Sequence, residues 1–535
     1  MVVKKKTLLK KKTASKAQSH ISVRALAGTG KSTTTIWGCT EAPKGVTLSS
    51  EQIPIIEAMQ AEKYSSVRFT AFSKAIATEL KSRLPDSVET CTNHSLGLST
   101  IREAIGKSPT IDANKSWKLC EELFGKVSDS DKKRETMQEY NQIKSIVSIA
   151  KGTLSCNLPL SQENGGVWSG SANLLEDACN FYSVDCTPKS LDKALQVLVE
   201  GSRRPKWIDF DDMIALPALN GWTPEQADFG IVDESQDMNR AQLWLASHSC
   251  HRLCTIGDIN QSIFGFAGAD PSAIPSIESF MSSSPRGLLT LPLNETRRCG
   301  KAIVEYCQSI VPEFRAHPSN PQGSVDWIDH SKHVATIQGW FMERENFMVL
   351  CRTNAPLTKL ALSLLKLRLP VQIKGKAFAQ GIINLIKRLA GDSTSTKALL
   401  SALEDYEGVE TATLVASTRQ DADQKLVELK DKCEIVRIFA EGCSQVDCII
   451  NKFDQLFSDE NKANCITLSS AHRSKGLEAD RVMIIHPELL PPPKISEKSE
   501  FNRTQERNLA YVAFSRAKHQ LVLVKSPSKF DDPEE

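Results

Sequence analysis

Short, largely apolar runs recur along the chain, some of them, such as Phe229–Val232 and Leu253–Ile256, ending in acidic or glycine residues. Ile21–Leu26 stands ahead of a glycine-rich turn and a threonine-rich stretch. Val67–Ala71 is followed by Lys74–Leu84, whose apolar positions recur at helical spacing. Phe229–Val232, Leu253–Ile256, Leu289–Leu293, Phe347–Cys351, Cys465–Leu468, Val482–Ile485 and Leu521–Val524 continue the series. Runs of this length, bounded by turn residues, predict buried strands. Their alternation with helical stretches predicts parallel sheets and an α/β class. The strands fall into two sets, before and after about residue 290, which predicts two α/β cores. Within the first set, residues 100–205 are polar and mostly helical in pattern, with Gly/Ser-rich loops near 164–172. Pro487 and Pro491–Pro493 mark 485–500 as a surface loop.

The length of 535 residues allows roughly three or four domains of about 150 residues. At 40% hydrophobic and 24% charged, the balance is that of a soluble globular chain. No apolar run approaches the roughly 18 residues of a spanning helix, and Leu8 and Leu9 between two lysine triplets are too short for a secretory signal. The cysteines then predict free thiols in a reducing compartment. His248, Cys250, His251 and Cys254 fit no standard zinc spacing, and Cys254 falls in a buried-strand pattern. Net charge is only +2, but no acidic residue precedes Glu41 and lysines crowd positions 4–16. Such a tail is a solvated arm, a phosphate contact or a targeting signal. Residues 1–20 read as this flexible tail, and the acidic end, 528–535, as a frayed one.

The chemistry begins at Ala25-Leu26-Ala27-Gly28-Thr29-Gly30-Lys31-Ser32. A glycine-rich turn between strand and helix lets backbone N–H groups approach phosphate oxygens, and the helix N-terminus adds its positive dipole end. Lys31 can reach the β- and γ-phosphates of a nucleoside triphosphate. The Ser32 hydroxyl can hold Mg²⁺, and Ala27–Thr33 cradle the triphosphate. Ala25 stands where the first glycine is usual. Downstream, Ile231-Val232-Asp233-Glu234 places an acidic pair at a strand end. Asp233 suits Mg²⁺ and Glu234 suits a base that activates water. Alone, such a pair is often a solvated turn; with a phosphate loop upstream it reads as a Walker-B element.

The order of further motifs resembles the superfamily 1 DNA helicases of the UvrD/Rep/PcrA type. Asp233–Asp237 matches the family's DExQD. Gly257-Asp258-Ile259-Asn260-Gln261-Ser262-Ile263-Phe264 resembles GDxxQSI plus an aromatic. Leu293–Arg298 is similar to motif IV, Ser470–Glu478 to motif V and Glu506–Ala517 to motif VI. Phe72–Ala75 resembles motif Ia and Thr92–Ser95 the TxHS that follows it. Trp207–Asp212 resembles the lead-in to motif II, and Arg352–Ala355 another family segment. The resemblance spans about residues 22–525.

It implies two RecA-like P-loop cores with parallel sheets, a helical insertion in the first core and a reduced one in the second. The expected bounds are 21–100 and 205–290 for the first core, with 101–204 inserted, and 291–380 and 461–527 for the second, with 381–460 inserted. It implies ATP and Mg²⁺ as ligands, with Lys31, Asp233, Glu234, Gln261, Arg298 and Arg516 catalytic. Gln261 would couple phosphate to DNA, Arg298 and Arg516 would act as arginine fingers, and Glu478 would touch the ribose. Phe72, His94, Phe264, Phe266 and His472 would lie along single-stranded DNA, with core packing the alternative for Phe72 and Phe264. Arg297 replaces a tyrosine that stacks on adenine. A string similar to the family's Q motif, Leu48–Gln52, lies downstream of the phosphate loop instead of upstream, and also reads as a capped helix start. The implied activity is ATP-driven 3′ to 5′ unwinding. The implied partners are single-stranded and forked DNA and recombination or replication proteins. The alternatives are a translocase that strips bound proteins and a regulatory subunit with a degenerate ATP site.

Overall fold

In the computed structural model, residues 18–126, 133–155, 172–182, 184, 186–263, 272–391, 393–416, 422–457, 464–493 and 500–525 are described. The chain divides into one unit ending at Asn294 and a second beginning at Glu295. Each is built on a six-stranded sheet.

The first sheet comprises β1 (His20–Ala25), β2 (Val67–Ala71), β3 (Val88–Thr92), β4 (Ala227–Val232), β5 (Cys250–Gly257) and β6 (Leu288–Leu293). Their spatial order is β3-β2-β4-β5-β1-β6, all parallel. The inner strands are largely apolar because helices cover both faces; Ile21, Phe69, Ile231, Cys254 and Ile256 are fully buried. The helices of this unit are α1 (Lys31–Cys39), α2 (Gln52–Met59), α3 (Lys74–Arg83), α4 (Asn93–Ile105), α5 (Lys115–Phe124), α6 (Lys133–Thr153), α7 (Ala172–Phe181), α8 (Pro188–Ser202), α9 (Phe210–Asn220), α10 (Arg240–Ser247) and α11 (Ala273–Ser283).

Two expected boundaries shift. Residue 290 falls inside β6, which pairs with β1 as far as Leu293, so the first core continues to the unit boundary. The tail does not reach residue 20 either. His20 opens β1, and the Ser19 carbonyl accepts from Arg252 Nε at 2.8 Å. Residues 1–17 and 526–535 lie outside the described residues.

The helical insertion has a core of its own, drawn from α4 through α9 and including Ile101, Leu119, Ile143, Val147, Leu198 and Met213. It therefore recruits apolar positions on both sides of the expected 101–204 span. Beneath it lies a buried ion cluster. Asp209 caps α9 and exchanges hydrogen bonds with Asp212 in a capping box. Lys115 Nζ pairs with Asp212 at 2.7 Å; Lys151 Nζ pairs with Asp209 at 2.7 Å and Asp212 at 2.8 Å. Burial would push the Asp212 carboxyl up, but Lys151 and Lys115 outweigh it and hold it below its usual range. The acidic lead-in seen in the sequence is thus a buried helix cap, neutralised by two insertion helices. Replacing Lys151 with methionine leaves buried Asp209 without its lysine and Asp212 with Lys115 alone. It should cost about 3–5 kcal/mol, read as an earlier urea transition of the full chain.

The second sheet comprises β7 (Ser324–Ile328), β8 (Phe347–Cys351), β9 (Val371–Ile373), β10 (Ile466–Ser470), β11 (Ala479–Ile484) and β12 (Ala517–Val524), in the order β7-β12-β11-β8-β10-β9 and again all parallel. Around it lie α12 (Lys301–Cys307), α13 (His333–Met342), α14 (Ala355–Lys366), α15 (Lys376–Ala390), α16 (Thr396–Ala416), α17 (Ala422–Ala440), α18 (Val446–Leu456) and α19 (Glu500–Phe514). The second insertion is helical but not separate. It begins at Lys376, and Ile382, Leu403, Val436 and Phe453 share one core with Val349, Ile373 and Leu468 of the sheet. Asp431 of α17 also accepts the backbone N–H groups of Asn354 and Ala355 at the start of α14. With so few helices, their apolar faces are buried against the sheet instead of against each other alone.

Candidate nucleotide and nucleic-acid site

In a parallel sheet every strand delivers its carboxyl end to the same edge, where ligands bind. At that edge of the first unit, β1 delivers the phosphate loop, β4 delivers Asp233 and β5 delivers Asp258. β2 and β3, on the far side of β4, deliver Phe72 and His94.

The loop geometry follows from its residues. Gly28 and Gly30 have φ of 66° and 82°, left-handed conformations that favour glycine. Ala25 closes β1 in extended backbone, so no glycine is required there. Thr29 Oγ1 donates to the Leu26 carbonyl at 3.0 Å and folds the turn on itself. Gly30 caps α1, whose first turn carries no acidic residue, leaving its N-terminus suited to anions. Lys31, Ser32 and Thr33 occupy that turn, half-buried.

Ser32 Oγ donates to Asp233 Oδ2 at 3.2 Å, so the two expected Mg²⁺ ligands meet. Burial, then the charge of Glu234, raises the Asp233 carboxyl to about 6, against the pull of Lys31. Asp258, also fully buried, is raised to about 6 by burial, with Lys31 again opposing. The Ser32 hydroxyl and the Asp233 carboxylate are hard oxygen donors, the kind that Mg²⁺ takes alongside phosphate oxygens. Glu234 has φ of 52°, a strained conformation for a side-chain-bearing residue. Gln236 Nε2 donates to its carboxylate at 2.5 Å. Gln236 Oε1 in turn accepts the Asp258 N–H at 3.0 Å, and Gln261 Nε2 donates to Asp258 Oδ2 at 2.6 Å. Gly257 makes this bridge possible, since a Cβ there would lie 2.6 Å from Ser235 Oγ and 2.7 Å from Gln236 Oε1. Glu234 and Gln261 are thus joined through Gln236 and Asp258.

The residues expected to lie along nucleic acid, Phe72 and His94, follow the neighbouring strands. Val232 lies opposite Thr70, and the Asp233 N–H donates to the Thr70 carbonyl at 3.2 Å, two residues before Phe72. Phe72 is 39% exposed, so its ring is not core packing. His94 lies in the first turn of α4, and burial lowers its pKa, with Asp211 opposing. Phe264 and Phe266 lie outside the described residues.

Residues 8–281 match the UvrD/REP helicase N-terminal domain, and residues 394–528 match the UvrD-like helicase C-terminal domain. The chain belongs to the UvrD/REP helicase family. It is 24% identical over 328 residues to F-box DNA helicase protein 1 of Schizosaccharomyces pombe, covering 55% of this chain and 34% of that one. It is 22% identical over 438 residues to ATP-dependent DNA helicase PcrA of Bacillus subtilis, covering 59% and 58%. The chain thus spans less than two thirds of the length of these relatives. Among solved structures, an arterivirus nonstructural protein 10 (helicase) aligns over 95% of this chain and 60% of its own, at 10% identity and a TM-score of 0.33.

The second unit of this UvrD/REP family member holds the remaining residues singled out from the sequence. Arg298 Nε pairs with Glu478 Oε2 at 2.8 Å, and Lys518 Nζ with Glu478 Oε1 at 2.8 Å. Burial acts to raise the Glu478 carboxyl, but Lys518, Arg298 and Arg516 together hold it low. Arg516 is only 2% exposed. Its guanidinium donates to the carbonyls of Val512 at 2.8 Å and Leu477 at 3.2 Å and to Ser515 Oγ at 3.2 Å. Arg297 is exposed. His472 follows β10 in a short 3-10 turn; burial, then the charges of Arg352 and Arg473, lower its pKa to about 3, so the ring is neutral.

Three further residues, all inside motifs quoted above, carry contacts that no expected role predicts. Asp258 links the two acidic motifs. Phe210, 52% exposed in the first turn of α9, stands beside Asp211, whose charge His94 senses. Gln52 is buried and donates from Nε2 to Thr34 Oγ1 of α1 at 3.0 Å, while exchanging hydrogen bonds with Ser49. The downstream Q-like string is therefore a capped helix start that also contacts the phosphate-loop helix.

Proposed function

We propose that this chain is an ATP-dependent DNA helicase that translocates 3′ to 5′ on single-stranded DNA and separates duplexes. One observation carries the reading. Lys31, Ser32, Asp233 and Gln261 share one sheet edge, and Phe72 and His94 emerge from the neighbouring strands of that same edge. In this reading Lys31 and the α1 N-terminus bind the triphosphate, while Glu234 orients and deprotonates the attacking water. Mg²⁺, held by Ser32 and Asp233, would neutralise phosphate charge. Gln261, joined to Glu234 through Asp258 and Gln236, registers the γ-phosphate. Arg298 and Arg516 of the second unit supply positive charge to the transferred phosphoryl group. Phe72 stacks on bases without regard to sequence, and Phe264 and Phe266 are proposed to do the same, which suits a motor that must step over any base. His94 and His472 complete the track, Glu478 meets the ribose and Arg297 faces the base. Replication or recombination proteins are the proposed partners.

The test is phosphate release with and without single-stranded DNA. Lys31→Ala should lower turnover by about 10²–10³-fold while single-stranded DNA binding survives. Normal hydrolysis by this variant would defeat the proposal. On a forked duplex, ATP-driven displacement of bound protein without strand separation would favour the stripping translocase.

A further inference from the structure

The chain passes from one unit to the other at Asn294–Glu295. Both sides of that peptide are tied down within their own unit. Leu293 ends β6 opposite Ala25, and its carbonyl accepts the Leu26 N–H of the phosphate loop at 3.0 Å. Glu295 and Thr296 pair with Arg315 and Ala316, and the Thr296 carbonyl accepts from the His317 N–H and Asn320 Nδ2, each at 2.9 Å. The junction is therefore confined to Asn294 and the peptide that follows it. The Asn294 N–H donates to Glu51 Oε2 at 2.7 Å.

Glu51 stands immediately before α2. Its neighbour Gln52 reaches the other way, to Thr34 of α1, and its Nε2 lies 3.7 Å from where a Cβ on Gly30 would sit. Two consecutive side chains thus join the phosphate-loop helix to the peptide that connects the units. A carboxylate accepting a backbone N–H makes a strong, directional bond, so a movement of the first turn of α2 is felt at Asn294.

We infer that Glu51 is a positioning residue that transmits movement of the nucleotide loop to the junction between the units, coupling ATP turnover to DNA engagement. The inference rests on the ATP-driven translocation proposed above. A shift of α1 on binding triphosphate displaces Thr34, then Gln52 and the start of α2, and Glu51 re-aims the Asn294 peptide. No phosphate or base contact is required of Glu51 itself.

The experiment uses the full chain as wild type, Glu51→Ala and Glu51→Gln. It measures ATP turnover with and without an oligo-dT strand, KM for ATP and the thermal midpoint. Glu51→Ala should lose about tenfold in DNA-stimulated kcat, with DNA-free turnover, KM and thermal midpoint close to wild type. Glu51→Gln keeps a carbonyl oxygen as acceptor and should restore most of the stimulation, which a general loss of structure would not allow. Wild-type stimulation in Glu51→Ala, or equal impairment of both variants, overturns the inference alone. A wild-type chain whose turnover ignores single-stranded DNA overturns the translocation reading and this inference with it.

Discussion

Replacing Arg516 with alanine is expected to lower DNA-stimulated ATP turnover by about 10³-fold or more, the range of an arginine finger, while nucleotide binding stays within a few-fold of wild type. The two candidate arginines differ in how their charge is held. Arg298 is paired with the Glu478 carboxylate, which offsets much of its charge. Arg516 donates to the Val512 and Leu477 carbonyls and the Ser515 hydroxyl, which fix the orientation of its guanidinium, and it too helps hold the Glu478 carboxylate low. A preoriented cation stabilises developing charge at little reorganisation cost. Arg516→Ala should therefore have the larger effect, and Arg298→Ala the smaller. Because Arg516 is buried, alanine also leaves two carbonyls without their donor, so the thermal midpoint must be read alongside the kinetics. Arg516→Lys separates the two effects, since it keeps a cation but lacks the planar fork. Turnover within tenfold of wild type in a folded Arg516→Ala chain would remove Arg516 from the finger role.

Glu234→Gln should lower turnover by about 10²–10⁴-fold, the usual contribution of a general base, with triphosphate binding retained. The substitution is nearly isosteric and leaves an amide oxygen to accept the Gln236 hydrogen bond. It removes the negative charge that helps raise Asp233. Single-turnover hydrolysis, measured with nucleotide binding on the same preparation, checks the prediction. A variant that binds and hydrolyses at the wild-type rate would place the base elsewhere. Glu234 sits at a positive φ where a side chain is strained, a cost of about 1–3 kcal/mol. That the fold sustains such strain next to buried Asp233 supports a functional role for this position.

The strands were legible as largely apolar runs because parallel strands covered on both faces bury most of their side chains. Eight of the nine runs kept their place within a few residues as β1, β2, β4, β5, β8, β10, β11 and β12. Leu289–Leu293 was equally legible as a strand, β6, but not its sheet. Which sheet a strand joins is set by backbone pairing, here with β1, and side-chain pattern does not encode that choice. The weakly apolar β3, β7 and β9 were not picked out, for each is a short or edge strand. The insertions show the same division. Polar, helical residues after 100 announced helices, but only packing shows that one set forms its own core while the other shares the core of a sheet.

For the site, the sequence by itself determined the chemical groups. The spacing of glycine, lysine and serine after a strand, and of paired acids after another, is dictated by local backbone geometry that neighbouring residues specify. The order of motifs determined the family. Tertiary structure alone decided which of these groups meet. Ser32 and Asp233 lie far apart in sequence yet share a hydrogen bond because β1 and β4 both flank β5. Gln52, out of its usual order in the chain, reaches α1 because α2 packs there, and contact depends on where elements lie, not on their order. The same holds for the charges. Two buried acids raised to about 6, and a finger candidate held by carbonyls, are consequences of burial and of neighbours drawn from distant segments. Those are long-range properties that no local pattern records.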